Sequence, residues 1–382
     1  MAIQLTGRGT PQGESQRILG RITRTPIDVA ARPDYIRVIL RDKNPEEPLT
    51  GYAAVLVEGS KPILVDGPSA QGYATLDFLS NGHIATVDLG NGHTRAVYRP
   101  ESRFNTLFAT ERCNSNCLMC SQPPKDVDDS YLAIEHLRLI DLIQSPPEQL
   151  GITGGEPTLL GEGLVQIIAK LRDRFPETFV LMLSNGRLYA YEDFVQKLAA
   201  VGHKNFLTTI PLYADNAVDH DYVVQAKGAF DQTIQGLYNA ARHNLAVEIR
   251  VVLHKQTIPG LLALVEFIYR NLPFVRQVAL MGLENMGYVK KNWDLLWIDP
   301  ADYADTLEAA VQHLYRRRVG VSVYNLPLCV LPKSIWSFAR KSISDFKNIY
   351  LDECNGCSVK EHCGGLFLSS ETRHSRLIKA IV

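Results

Sequence analysis

The chain has 382 residues, 46% of them hydrophobic, which is enough for a large core and too many for one minimal domain. Lys and Arg together number 40 against 41 acidic residues, so the formal charge of −1 removes the basic excess on which non-specific nucleic-acid binding depends. The most apolar helical candidate, GLLALVEFIYRNL, is interrupted by Glu266 and Arg270 and falls short of a membrane span, so neither nucleic acid nor membrane is an expected partner.

Residues 1–33 carry turn-formers and scattered charge and are expected to form an irregular arm; MAIQLTGRGTPQGESQRILG lacks the basic, apolar and small-residue pattern of a secretory signal. From Asp34 to Pro100 short β-rich runs, YIRVIL, GYAAVLVEG, KPILVDG and HIATVDLGNGHTRAVYR, alternate with Gly, Pro and Asn. The GNGH at 90–93 reads as a hairpin turn. His83 and His93 read as turn or surface residues. Residues 1–100 are therefore expected to be a small β-rich domain with an arm.

After Pro100 the rhythm becomes strand, loop, helix. FNTLFAT, QLGITG, FVLMLS, FLTTIPLY, AVEIRVVLH and QVALMGL are candidate strands. Helical patterns fall at 131–144, 162–174, 191–201, 229–243 and 260–271, with one more near 301–317. Strands alternating with helices imply parallel pairing through right-handed crossovers, hence an α/β sheet curling toward a barrel over 101–320. Ligands of such sheets bind at the C-terminal ends of the strands. Residues 321–382 carry the remaining cysteines.

The loop after the first of these strands, ERCNSNCLMCSQPP, holds Cys113, Cys117 and Cys120 in a Cys-x3-Cys-x2-Cys spacing. The expected compartment is the cytoplasm, where paired disulfides are rare, so closely spaced cysteines read as ligands of a soft metal centre. A structural zinc site usually closes with four protein ligands, and this loop offers three. A four-iron cluster on three thiolates keeps one iron open for an exogenous ligand. A zinc site completed from afar, or cysteines that bind nothing, are the other readings.

That spacing, after the first strand of a partial (β/α)6 barrel, resembles the signature of the radical S-adenosylmethionine (radical SAM) enzymes. The resemblance implies a SAM-binding 4Fe–4S cluster on Cys113, Cys117 and Cys120, with the open iron chelating the methionine part of SAM. Reductive cleavage of SAM would then give a 5′-deoxyadenosyl radical that abstracts hydrogen from substrate, with a donor such as flavodoxin or ferredoxin supplying the electron. No catalytic residue is assigned beyond the cluster. Further along, GITGGEPTLL places Gly154 and Gly155 where backbone can approach a ligand closely, with the Glu156 carboxylate beside them. It looks like the family's GGE motif, which binds the SAM amino group. In LSNGR, Ser184 and Asn185 resemble the polar pair that meets the SAM ribose or carboxylate. HDYVVQAKGAFDQTIQGL resembles the loop and helix after the fourth strand. Arg250, within the fifth strand, faces either the cofactor inside the barrel or the helix layer outside. Many members have an aromatic residue before the third cysteine; this chain has Met119.

The second group is Cys354-x2-Cys357-x5-Cys363, with Cys329 earlier in NLPLCVLP. A zinc knot, with His362 as a substitute ligand, is one reading. Cys-x2-Cys-x5-Cys-Gly also resembles part of the auxiliary iron–sulfur extension of radical SAM peptide maturases. It implies one auxiliary 4Fe–4S cluster on Cys329, Cys354, Cys357 and Cys363, acting as electron relay or substrate anchor. FNTLFATERCNSNCLMCSQPPK, GITGGEPTLL and ALMGLENMGYVKKNW together resemble the C-type maturases of the His-Xaa-Ser system, over about residues 95–365. The implied substrate is a peptide or small protein, and the implied partner a second radical SAM protein. Two other functions fit the residues: radical chemistry on a nucleoside or small metabolite, and a zinc-stabilised binding protein without catalysis.

Overall fold

Arg17–Thr23, RILGRIT, lies in the stretch expected to be an irregular arm, yet it is a central strand in the computed structural model, which describes residues 5–41, 43, 45, 47–342 and 348–382. The eight-stranded sheet containing it runs Thr6–Arg8, His93–Tyr98, Ile84–Asp88, Arg17–Thr23, Tyr35–Ile39, Ala54–Glu58, Ser69–Tyr73, Thr10–Gln12. Its two edge strands are separated in sequence by Gly9 alone, so the sheet curls until the edges meet. The arm's strands are short or half-exposed, which leaves little apolar alternation to read. The hairpin at 90–93 is present, with Asp88 opposite His93. His83 is a turn residue but a buried one: its Nδ1 accepts from the Ser80 N–H and its Nε2 meets Glu101 at 2.9 Å.

The six strands expected after Pro100 are Asn105–Phe108, Gln149–Thr153, Phe179–Leu183, Phe206–Pro211, Ala246–Leu253 and Gln277–Gly282, the first to sixth barrel strands, each parallel to the next. Gly320–Tyr324 and the two-residue Ala339–Arg340 continue the sheet in the same sense as seventh and eighth strands. This α/β sheet is a partial barrel, since among the described residues the first and eighth strands pair only with their inner neighbours.

Alternation along each strand divides the residues between two environments. Leu150 and Ile152, Val180 and Met182, Val247, Ile249, Val251 and Leu253, Val278 and Leu280 pack outward with Leu139, Ile140, Leu164, Ile168, Leu264 and Ile268 from the covering helices. Each such side chain contributes about 1.5–3 kcal/mol on full burial. The intervening residues face the concave side, Thr153, Thr209, Glu248, Arg250, Gln277 and Ser322 together with Leu181, Leu207, Val252 and Met281, so the interior of the barrel sets a polar group of side chains among apolar ones. The N-terminal sheet packs on the helix Tyr131–Leu142: Ile84 and Tyr98 join the core containing Leu107 and Leu139, and Arg21 donates to the Leu142 carbonyl at 2.7 Å.

One element differs from the sequence reading inside the barrel. Ala217–Val224, expected to be loop, is a helix whose N-cap Asn216 side chain accepts from the Asp219 N–H at 3.0 Å. Among the described residues no helix is long and apolar enough to cross a membrane.

Two imidazoles are buried at the rim of the barrel. His254 follows the fifth strand and His220 lies on Ala217–Val224; their Nδ1 atoms accept from the backbone N–H groups of Gln256 and Tyr213. Burial pushes both rings down to about 4 from 6.5. Between those values the unfolded chain binds the protons that the native rings refuse. Their contribution is therefore complete above about pH 6.5 and is lost as pH falls toward 4. We expect His254→Asn to flatten the fall in unfolding free energy over that window by up to about 1.4 kcal/mol per pH unit. Chemical denaturation at several pH values checks this; an unchanged slope would show that the ring is not neutral in the native state.

Candidate cluster and cofactor site

The loop after the first barrel strand is fixed from four directions before any metal is considered. At its start, Asp129, buried at the head of the helix Tyr131–Leu142, accepts from the Thr110 hydroxyl at 2.8 Å and the Glu111 N–H at 2.6 Å, and pairs with Arg112. In its middle, Asn116 and Leu118 donate backbone N–H groups to the carbonyls of Val224 and Val223, the last turn of the unexpected helix. On a third side stands the turn after the third strand, SNGR. Asn185 Nδ2 donates to Asn114 Oδ1 at 2.6 Å and lies 3.9 Å from Cys113 Sγ. The Arg187 guanidinium donates to the Asn114 carbonyl and, at 3.1 Å, to the Ser115 hydroxyl. At its end, the segment after the sixth strand closes in, with Tyr288 N–H on the Cys120 carbonyl at 2.9 Å and Asn292 Nδ2 on the Leu118 carbonyl at 2.8 Å.

Cys113, Cys117 and Cys120 are all partly buried within this frame. Burial pushes the Cys113 thiol up to about 11 and Cys117 to about 12, and the neighbouring cysteines add to both. Burial also raises Cys120. Thiolates are disfavoured here until a cation compensates them, as ligation by iron would do. The donor set fits a cluster: three soft ligands in one rigid loop, at the C-terminal end of a parallel strand. Among the described residues no three His, Cys, Asp or Glu groups converge as ligands of a single metal ion. Met119 is buried against Tyr213, Val223 and Val289, so it packs beneath the loop, and Tyr213 supplies the neighbouring aromatic ring.

Gly154 and Gly155 run directly against the backbone of the cysteine loop. A β-carbon on Gly154, whose φ is +152°, would stand 2.6 Å from the Thr110 carbonyl oxygen; one on Gly155 would overlap the Arg112 carbonyl. The segment donates to the loop twice: Gly155 N–H to Thr110 O at 2.7 Å, and Glu156 N–H to Arg112 O at 2.8 Å. Only glycine permits that approach.

Glu156 has a partner set different from the expected SAM ammonium. Its carboxylate is wholly buried and accepts from Thr158 N–H at 3.0 Å, Thr158 Oγ1 at 2.5 Å, Ser184 Oγ at 2.8 Å and Asn185 N–H at 2.6 Å. Burial raises its pKa, against the pull of those donors. Ser184 is thus occupied with Glu156, whereas the Asn185 side chain reaches the cysteine loop. Arg250 lies on the concave face: it alternates with the outward Ile249 and Val251, and Val252 on its own face packs with the Met119 and Tyr213 cluster. Its Nε donates to Glu248 Oε1 at 2.8 Å, and Glu248 also accepts from Gln277.

The second cysteine group comes together as well. Cys329, Cys354, Cys357 and Cys363 line one small, mostly apolar cavity with Leu328 and Leu366. Backbone N–H groups of Leu328 and Gly365 point at Cys363 Sγ at 3.4 and 3.5 Å. Burial raises the Cys329 thiol, and the sulfurs of Cys363 and Cys354 are near enough to add to it. His362 is not among the lining residues.

Sequence reasoning missed Asp129, Asn114 and Arg187. Arg187 sits in the quoted SNGR, and a cation directly after a strand-end turn was a usable signal; Asp129 and Asn114 gave none.

The carboxylate geometry gives an expected outcome for Glu156→Gln. The amide must present a donor where the carboxylate faced only donors, so the variant should lose about 2–4 kcal/mol of stability with or without SAM. Thermal unfolding and SAM binding, measured together, check it. Unchanged melting with lost SAM affinity would restore a direct contact.

Residues 107–268 match the profile described as the Radical SAM superfamily. Among curated proteins the chain is similar to Fe-coproporphyrin III synthase of Methanosarcina barkeri, 27% identical over 163 residues, covering 42% of this chain and 39% of that protein. It is also similar to GTP 3′,8-cyclase of Petrotoga mobilis, 32% identical over 153 residues, covering 38% of this chain and 45% of that protein. The chain therefore spans less than half the length of either relative. Among solved structures, SuiB of Streptococcus suis bound to S-adenosylmethionine aligns with a TM-score of 0.48 at 15% identity, over 67% of this chain and 56% of that one. The cysteine loop, the glycine pair laid against it and the profile match coincide in one stretch of sequence: residues 107–268 match a radical SAM superfamily domain.

Proposed function

We propose that the protein modifies a peptide or small protein by radical SAM chemistry, as a maturase of the His-Xaa-Ser type. When bound, the cluster and SAM supply one electron and a reactive carbon radical. The chain's own residues do the rest. Cys113, Cys117 and Cys120 hold three irons. Gly154 and Gly155 bring backbone close to the SAM amino acid, Asn185 orients the loop from the side, and Arg250 offers a cation on the concave face where a carboxylate would lie. The polar groups on the concave face position substrate, and the open side of the sheet leaves room for a bulky chain to reach the strand ends.

The observation that carries the peptide reading is the second cysteine set, four thiols on one cavity apart from the three-thiol loop. It supports an auxiliary 4Fe–4S cluster beside the SAM-cleaving one. The expected partners are an external one-electron donor such as flavodoxin or ferredoxin and a second radical SAM protein. A second reading, chemistry on a small metabolite, is favoured by the curated relatives, whose names give an iron tetrapyrrole and a nucleotide. A zinc-binding protein without catalysis would contain zinc in place of iron.

The test is anaerobic reconstitution followed by assay of 5′-deoxyadenosine with SAM, dithionite and either small His-Xaa-Ser proteins, GTP or coproporphyrin. Two clusters' worth of iron and a peptide whose mass changes are expected. Simultaneous Cys113→Ala, Cys117→Ala and Cys120→Ala should abolish 5′-deoxyadenosine while leaving the other cluster's iron. Stimulation by GTP or porphyrin alone would favour the metabolite reading, and a colourless zinc protein would overturn both.

A further inference from the structure

The four-thiol cavity is covered by a segment far from it in the reading of the motif. Ile378, Lys379 and Ile381 form part of its wall. The Ile381 N–H points at Cys357 Sγ at 3.4 Å, and the Lys379 backbone donates to the Cys329 sulfur. Ser358, next to Cys357, donates both its N–H and its hydroxyl to the Ile381 carbonyl at 2.8 Å. A few residues earlier the same segment is anchored to the barrel side of the protein. Asp299 accepts from the Ser375 hydroxyl at 2.5 Å and from the Arg376 N–H at 3.0 Å, and pairs with the Arg376 guanidinium at 3.1 Å. Arg376 also reaches Asp302.

We propose that Ser375–Ile381 is a strap, anchored by Asp299, that closes the second cysteine set and tunes the cluster held there. With four thiols inside and the strap across them, the site has no ligand position left for substrate. Of the two roles considered for it, electron relay fits and direct substrate anchoring does not. Asp299 and Ile381 are then positioning residues: one holds the strap, the other directs an N–H dipole at a ligating sulfur. Such N–H···S bonds favour the more negative, reduced state of a cluster and raise its potential. This inference rests on the cluster reading of the second cysteine set given above.

The experiment uses the full chain, reconstituted anaerobically, with total iron measured first. Asp299→Asn keeps an acceptor for the Ala301 N–H at the helix start but weakens the hold on Ser375 and Arg376. A ferrous chelator should then remove half the iron at least about fivefold faster than from the parent protein, the scale of one lost hydrogen bond. Dithionite-driven SAM cleavage without substrate should be unchanged. Ile381→Pro removes one N–H donor while the Asp299 anchor stays, and should lower the potential of the second cluster in an EPR-monitored titration. Equal chelation rates for Asp299→Asn together with an unshifted potential for Ile381→Pro would overturn the strap. Iron for one cluster only, before any chelator is added, would overturn the strap together with the second-cluster reading, and so is distinguishable from failure of the strap alone.

Discussion

A carboxylate sealed from solvent ties together the strand exits around the cysteine loop. Glu156 is buried with four neutral donors on its oxygens, two from Thr158 and two from the Ser184–Asn185 turn. Removing a carboxylate from water costs several kcal/mol, and hydrogen bonds to a charged group return about 1.5–3 kcal/mol each. Four of them make burial tolerable, although the raised pKa shows that desolvation still outweighs them in the balance of protonation. The charge can stay only if every donor stays. The exit of the third strand is therefore tied to the exit of the second, and Asn185 and Arg187 are delivered to the cysteine loop as a consequence.

Much of this was readable because it is local. The barrel strands announce themselves as β-branched runs bounded by turns, and three thiols in eight residues need no tertiary information. The supports of the site are different in kind. Arg187, Asp129, Tyr288 and Asn292 reach the loop through hydrogen bonds to backbone carbonyls, N–H groups or hydroxyls, which leave no spacing pattern in the sequence. The helix Ala217–Val224 escaped notice because AVDHDYVV has apolar residues on more than one side: it buries Val223 and Val224 against the cysteine loop, while Val218 and Tyr222 are exposed. Gly320–Tyr324 shows the converse failure. GVSVY alternates as a strand should, but its position after YRRR suggested the start of the extension.

Glu156 also shows where motif and mechanism part company. A glutamate after two glycines at a strand end suggests a ligand contact, since it is placed next to one. Its exposure is zero, and its carboxylate meets the Thr158, Ser184 and Asn185 donors while its backbone N–H meets the cysteine loop. The motif was legible from its spacing, whereas the hydrogen bonds from Ser184 and Asn185 cross from the next strand and leave no local trace.

The two cysteine sets differ in the way their surroundings are built, and the difference bears on what each can do. The first is gripped chiefly through its backbone, at the carbonyls and N–H groups of Asn114, Asn116, Leu118 and Cys120, with the Ser115 N–H directed at the Cys113 sulfur and the Asn185 side chain 3.9 Å from it. Such a frame fixes the position of the loop at the C-terminal end of the first barrel strand. The second is held from inside, by N–H groups aimed at the sulfurs of Cys357 and Cys363, and it is sealed by apolar walls. Dipoles directed at sulfur and exclusion of water would adjust the potential of a centre bound there. Four thiols within apolar walls and three thiols on a braced loop at the strand ends are thus two different settings for soft ligands in one chain.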